Sequence, residues 1–400
     1  MSGSKNASLP IIAATILNSD VTRLYNIPKI HDTKITLEIL KILGCKIRCD
    51  SGKIEINSKN ITKTEIPESL MRQMRSTVIL AGAILGRFKE VTFSYPGGCE
   101  IGARPIDLHL AAFKKMGIQV EEFSGFIRCS CDKIVAADIN LDFPSVGATE
   151  NIILAAALAE GTTTINNAAM EPEIVDLANC LNRMGAKIEG AGTNIIKITG
   201  VRRLKGTGYK VMPDRIEAGT FLCAAAVTGG KIKVNNIIPE HIVPVIHKLQ
   251  EAGCEINVEK RSVELTAPKK LKAIEIKTMP YPGFPTDLQQ IFGSMLTVAK
   301  GTSIIIENIF ENRFKYLSEL TRMGAKSTVE GKTAIITGKR KLTGTTTHGS
   351  DLRGGAGLII AGLAAKGTTR VENIEYVLRG YENLNGKLNM LGAKIIEVGE

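Results

Sequence analysis

The amino-acid sequence predicts an α/β protein of six repeats, three to each half of the chain. Small-sided helices are expected at the centre of each half, wrapped by sheets and more polar helices. Three observations predict this. A five-residue signature recurs six times at near-constant spacing, six Ala-rich stretches keep the same interval, and one polar residue stands at the entrance to each of those stretches.

The signature reads Leu43-Gly-Cys-Lys-Ile, Met116-Gly-Ile-Gln-Val, Met184-Gly-Ala-Lys-Ile, Ala252-Gly-Cys-Glu-Ile, Met323-Gly-Ala-Lys-Ser and Leu391-Gly-Ala-Lys-Ile. Its glycines fall at 44, 117, 185, 253, 324 and 392, in steps of 73, 68, 68, 71 and 68. A glycine that ends a helical pattern and precedes a β-prone run reads as a left-handed cap followed by a strand. A fixed period of this kind marks repeated structural units.

The Ala-rich stretches lie near Ala7–Ile16, Thr77–Leu85, Glu150–Glu160, Ala218–Thr228, Leu288–Lys300 and Ala356–Lys366. Most run through glycine into a β-branched strand, as in Gly161-Thr-Thr-Thr-Ile165. A helix apolar on nearly every side must be buried on most of them. Strands and more polar helices, such as Arg104–Lys115, are therefore expected outside. The halves should meet near Tyr209–Pro213, giving a first domain of residues 5–212 and a second of 213–400 plus 1–4.

The residues at the helix entrances are Lys5, Arg75, Ser145, Arg215, Asp287 and Arg353, in steps of 70, 70, 70, 72 and 66. Serine there is an ordinary cap. Lysine and arginine are unfavourable beside the positive end of a helix dipole unless an anion sits among them. If the central helices of a half run parallel, their N-termini converge on one face. Two such faces would line a cleft of N–H donors and cations suited to phosphate or carboxylate. Closing the sixth repeat through the chain ends leaves it about 15 to 21 residues shorter than the others. That predicts an absent N-terminal strand and a loosely held Lys5.

Composition bounds the function. With 400 residues, 44% apolar and 23% charged, the chain is globular and not disordered. It has no apolar run of the roughly 18 residues a membrane span needs and no leader-like N-terminus, which predicts the cytoplasm. The balance of 51 basic to 40 acidic residues suggests an anionic partner. Aromatics at 4% and no tryptophan argue against a stacking platform for single-stranded nucleic acid. Eight cysteines without a C-x-x-C pair and five scattered histidines predict no structural metal. Cys45 with Cys49, and Cys129 with Cys131, read as core thiols sharing strand faces. Cys99 differs. It sits in Pro96-Gly-Gly-Cys99-Glu-Ile-Gly-Ala-Arg104-Pro105, where three glycines and two prolines predict a mobile, exposed loop. A thiol there serves as nucleophile or general acid.

That loop, taken with Ser2-Gly-Ser-Lys-Asn6-Ala, Ser145-Val-Gly-Ala-Thr, Glu171-Pro-Glu-Ile-Val-Asp, Pro213-Asp-Arg-Ile-Glu, Phe284-Pro-Thr-Asp-Leu, Phe310-Glu-Asn-Arg-Phe and Arg379-Gly-Tyr-Glu, resembles the UDP-N-acetylglucosamine 1-carboxyvinyltransferases. These are enolpyruvyl transferases that open peptidoglycan synthesis, and the resemblance spans essentially the whole chain. It implies two inside-out α/β barrels of three repeats each. It implies transfer of the enolpyruvyl group of phosphoenolpyruvate to the 3′-hydroxyl of UDP-N-acetylglucosamine, with phosphate released by addition and elimination. Those two substrates are the implied partners, with no cofactor, metal, nucleic acid or membrane. By the same resemblance, Cys99 protonates C3 of phosphoenolpyruvate and can form an adduct with it, and Asp287 takes the proton of the sugar hydroxyl. Lys5, Asn6, Arg104, Arg353 and Arg379 match phosphoenolpyruvate contacts. Arg75, Arg104, Pro105, Ile106, Asp107, Leu108, Ser145, Val146, Gly147, Asp287 and Ile309 match nucleotide-sugar contacts. Phe143 and His31 stand where many members carry a basic residue.

Other readings are weaker. The shikimate-pathway enolpyruvyl transferases do not rely on a thiol, and the RNA terminal phosphate cyclases use fewer repeats and a histidine nucleophile. An inactive nucleotide-sugar-binding paralogue would not need both Cys99 and Asp287. A polyanion binder would carry its cations as an open stripe, whereas here several recur at the period of buried helices.

Overall fold

The computed structural model describes residues 1–97 and 106–398. They fall into two units, residues 3–97 with 106–212, and residues 1–2 with 213–398. Gly3 and Ser4 thus group with the first half and not, as the sequence suggests, with the second. Ser4 N donates to the Met212 carbonyl at 2.8 Å, which ties this short stretch there.

All six signature glycines are left-handed, with φ of 118°, 79°, 104°, 97°, 87° and 101° in chain order, values that a side chain resists. They follow the helices His31–Leu43, Asp107–Lys115, Pro172–Arg183, Val243–Glu251, Tyr316–Arg322 and Leu384–Met390. The six Ala-rich stretches form the other set, Lys5–Ala14, Ile79–Phe88, Val146–Ala156, Arg215–Thr228, Gln289–Leu296 and Leu352–Ala364. In Arg215–Thr228 every residue from Arg215 to Val227 is buried, as an apolar, small-sided helix requires.

Small side chains let these central helices touch. Gly82 lies against Asn151, and Gly86 against Leu154 and Ala155. Contacts that advance together along both chains mean the helices Ile79–Phe88 and Val146–Ala156 run parallel. In the other unit Gln290 donates to Asp351 at 3.3 Å, and Gly357 lies against Ser294, so Gln289–Leu296 and Leu352–Ala364 are also parallel. A Cβ added at Gly82 would meet the Asn151 carbonyl oxygen at 2.4 Å, and a backbone atom cannot swing aside. Gly82→Ala is expected to cost about 1–3 kcal/mol, read as a lower urea midpoint at unchanged slope. An unchanged midpoint would show that the two helices do not meet there.

Strands follow the glycine in five repeats. Lys46–Asp50, Gln119–Phe123, Lys187–Glu189, Glu255–Glu259 and Lys326–Glu330 each pair antiparallel with the next strand in sequence. Those middle strands are Lys53–Asn57, Phe126–Ser130, Ile195–Thr199, Ser262–Thr266 and Thr333–Thr337, and each pairs on its far side with the first strand of its repeat. Alternate aliphatic residues such as Ile196 and Ile198, or Val263 and Leu265, are buried, the period of a sheet with one face on a core. The sheets have two to four strands and stay open, so among the described residues none closes into a hydrogen-bonded barrel. Their outer strands carry exposed charge, as in Lys46, Arg48 and Asp50, which blunts an edge.

Two expectations are corrected. After Gly392 no strand forms among the described residues, and Ile396 and Val398 are 84% and 78% exposed. In the other repeats the strand after the glycine zips onto the one that follows it, and residues 393–398 have no such partner. The cysteine pairs do not share core faces either. Cys45 and Cys129 are buried, but Cys49 is exposed on an outer strand and Cys131 lies just past the end of its strand, partly exposed. Among the described residues no helix is long and apolar enough to cross a membrane.

Candidate active site

The entrance residues stand where their spacing places them, at the N-termini of the buried helices. In the unit of residues 3–212, Lys5 is the first residue of its helix, after Ser4 as N-cap with its hydroxyl accepting from Ala7 N at 3.3 Å. Lys5 Nζ pairs with Asp32 at 2.8 Å, and the aspartate is fully buried. Lys5 is therefore held, not loose as its nearness to the chain end predicts. Asp32 lies in the first turn of His31–Leu43, where the helix dipole favours an anion. Asn6 is half-buried beside Lys5, and Arg75 opens a 3-10 turn that leads into Ile79–Phe88.

Ser145 is the N-cap of Val146–Ala156, its hydroxyl accepting from Ala148 N at 3.3 Å, and Val146 and Gly147 form the first turn. His109 lies against Gly147, where an added Cβ would sit 3.1 Å from the imidazole Cε1. A backbone pair sets this ring's tautomer. Asn151 Oδ1 accepts from Gly82 N at 2.8 Å and Asn151 Nδ2 donates to the Val78 carbonyl at 3.0 Å, which fixes the amide. The same Nδ2 meets His109 Nδ1 at 2.7 Å, so Nδ1 accepts and the ring proton is on Nε2. Ile106 is buried at the cap of Asp107–Lys115, whose first turn carries Asp107 and Leu108. Cys99, Arg104 and Pro105 lie outside the described residues.

In the unit of residues 213–398, Asp287 sits in the 3-10 turn Thr286–Leu288 before Gln289–Leu296. Arg313 Nη2 donates to its Oδ1 at 2.7 Å, and Arg353 donates to its Oδ2 from Nη2 at 3.0 Å and from Nε at 3.3 Å. The arginine side chains are 3% and 4% exposed and the carboxylate 26%. Burial pushes Asp287 up, but Arg353 and Arg313 outweigh it and hold the group well below the usual carboxylate range. Arg353 can occupy a helix N-terminus because Asp351 caps that helix, accepting from Arg353 N and Gly354 N at 3.0 Å each. Its guanidinium also lies 5.1 Å from the centre of the Tyr381 ring. Arg353 Nη1 and Arg313 Nε are buried with no hydrogen-bond partner among the described residues, donors poised for an anion. Arg215 opens the helix capped by Asp214. Ile309 N donates to Glu307 at 2.9 Å, and Arg379 caps the short helix Glu375–Leu378.

Sequence reasoning brought Asp287 and Arg353 to one place but missed Arg313, Asp32, Asp351 and Glu307. Arg313 lies in the quoted Phe310-Glu-Asn-Arg-Phe segment, yet off the repeat period. Asp351, two residues before Arg353, was legible as a helix cap. A carboxylate kept ionised against buried cations can accept a proton, and those cations can bind an anionic substrate.

Comparison with known proteins agrees with this chemistry. The family profile described as EPSP synthase (3-phosphoshikimate 1-carboxyvinyltransferase) matches residues 1–388. UDP-N-acetylglucosamine 1-carboxyvinyltransferase 2 of Caldanaerobacter subterraneus subsp. tengcongensis is 52% identical over 99% of this chain and 95% of its own. UDP-N-acetylglucosamine 1-carboxyvinyltransferase of Clostridium botulinum is 48% identical over 100% of this chain and 96% of its own. Among solved structures, the enolpyruvyl transferase NikO from Streptomyces tendae shares the fold, with TM-score 0.89, 24% identity, and cover of 98% of this chain and 94% of that one. The α/β fold expected from the repeats is thus that of the enolpyruvyl transferases. By profile and by identity along its whole length, the chain belongs to the enolpyruvyl transferase family, and within it to the UDP-N-acetylglucosamine 1-carboxyvinyltransferases.

Proposed function

We infer that the chain transfers the enolpyruvyl group of phosphoenolpyruvate to the 3′-hydroxyl of UDP-N-acetylglucosamine and releases phosphate. The observation that carries this reading is Asp287, held as an anion by two buried arginines at 2.7 and 3.0 Å. In that arrangement it is a poor base. Phosphoenolpyruvate brings a carboxylate and a phosphate, which compete for Arg353 and its unpartnered Nη1. As Arg353 turns to the substrate, Asp287 loses a positive neighbour and its proton affinity rises. The anionic substrate therefore switches on the base that the second substrate needs.

The steps balance. Asp287 takes the 3′-hydroxyl proton, and the oxygen lone pair forms a bond to C2 of phosphoenolpyruvate. The double-bond electrons take a proton at C3, delivered by Cys99 in the role its family places on that thiol. The tetrahedral ketal phosphate then returns a C3 proton to the Cys99 thiolate, re-forms the double bond and breaks its C2–O bond to phosphate, and the expelled phosphate takes the proton held by Asp287. No electrons are lost or gained overall, so the reaction calls for no redox cofactor. Lys5, Asn6, Arg104, Arg353 and Arg379 are assigned to phosphoenolpyruvate, each charge-assisted bond being worth about 1.5–3 kcal/mol. Arg75, Arg104, Pro105, Ile106, Asp107, Leu108, Ser145, Val146, Gly147 and Ile309 are assigned to the nucleotide sugar. The helix Val146–Ala156 supports this in part, since its first-turn amides are donors suited to a diphosphate. We place the protein in the cytoplasm and in peptidoglycan synthesis, the process that its family opens.

The test is phosphate release from phosphoenolpyruvate, expected only with UDP-N-acetylglucosamine present. Equal release with shikimate 3-phosphate would overturn the substrate assignment.

A further inference from the structure

Glu307 follows the strand Thr302–Ile306 and is 1% exposed. Its Oε1 accepts from Thr278 Oγ1 at 2.8 Å, Ile309 N at 2.9 Å and Phe310 N at 3.2 Å, and its Oε2 accepts from Thr286 Oγ1 at 2.9 Å. These donors are two hydroxyls and two amides. Thr286 has a single hydroxyl proton, and the bond to Glu307 uses it. Its lone pairs are thereby turned outward, and Arg313 Nη1 donates to them at 2.8 Å while Arg313 Nη2 donates to Asp287 at 2.7 Å.

We propose that Glu307 is a positioning residue for Asp287, acting through the Thr286 hydroxyl and Arg313, and that the same carboxylate sets the backbone at Ile309 and Phe310. The proposal rests on the reading of Asp287 as the base. The chain of bonds has one polarity. A carboxylate at 307 can only accept, so Thr286 must donate to it and accept from Arg313. One buried anion therefore fixes both the turn that carries the base and the loop assigned to the nucleotide sugar. Among the described residues, the charged and titratable groups facing Asp287 are Arg313 and Arg353, the latter flanked by Tyr381 and Asp214, and Tyr316 faces Glu307.

Glu307→Gln separates the two duties. The amide oxygen can keep Thr278, Ile309 and Phe310, while the amide N–H now points at Thr286 and competes with Arg313 for its lone pairs. In a crystal structure of this variant, Arg313 is expected to leave Asp287 while the 309–310 backbone stays. With Arg313 loosened, kcat should fall about 10- to 100-fold, with KM for UDP-N-acetylglucosamine within about twofold. The acid limb of the kcat profile should move up by about one pH unit, because a carboxylate that loses a cation binds its proton more tightly. Thr286→Val removes the same link from the other side and guards against a misfolded Glu307 variant. It should give the same changes, and the double variant should be no worse than the worse single one. Arg313 unmoved in both crystal structures, or wild-type kcat and pH profile in both variants, would overturn the proposal. Absence of phosphate release by the unaltered protein would instead sink the functional reading, and the crystal structures would still decide the role of Glu307 in holding Arg313.

Discussion

Asp287→Asn is expected to lower kcat by about two to four orders of magnitude while KM for UDP-N-acetylglucosamine stays within a few fold. Asparagine keeps the shape and can accept from one arginine, but it cannot take the hydroxyl proton, and its N–H₂ faces the other guanidinium. Stability should also fall, because Arg313 and Arg353, 3% and 4% exposed, lose their countercharge. Breaking a buried pair from one side costs about 3–5 kcal/mol, and the 26% exposure of the carboxylate puts this case at the lower end. The sign with pH follows from the depressed folded value of Asp287. Its contribution is complete above the unfolded carboxylate value of about 3.9 and is lost as pH falls toward the folded value. The stability gap between protein and variant should hold between neutral pH and about 5, then narrow below about 4. Chemical denaturation at a series of pH values measures it. A gap independent of pH down to 2 would mean that the carboxylate charge is not what the arginines use.

Arg353→Met should produce the second large effect, a fall of about 10²–10⁴ in kcat/KM for phosphoenolpyruvate at saturating nucleotide sugar. That is the loss of two charge-assisted bonds at about 1.5–3 kcal/mol each. Methionine keeps an unbranched stem to pack in the same buried place, so the fold should survive, as circular dichroism would show. A change below threefold would remove Arg353 from the substrate's contacts.

The fold was legible where the chain repeats itself. Left-handed glycine after a helix and small residues on every side of the next one are local requirements, so positions such as Gly253 and Ala218–Thr228 announce their structure one residue at a time. The strand after Gly392 was read from the same local cue and does not form among the described residues, because a strand needs a partner and no local signal supplies one. Cys49 failed for a related reason, since period-2 spacing says which residues share a face but not whether that face is covered. At the site, periodicity found Asp287 and Arg353 because both begin buried helices. Arg313 and Glu307 come from a loop that obeys no period, and their roles depend on Thr286, which only the folded chain brings between them. The quoted segment beginning at Phe310 marked the place without saying what Arg313 would hold.

Three of the cations at the site come with anions of their own, Lys5 with Asp32 and Arg353 and Arg313 with Asp287. A chloride ion arriving at either cluster meets cations already paired with a carboxylate, and its single charge gains little by competing with that partner. A solute with several negative oxygens makes more contacts than it breaks. Discrimination of multiply from singly charged metabolites in ordinary salt then arises from what must be displaced, before the shape of any pocket is consulted.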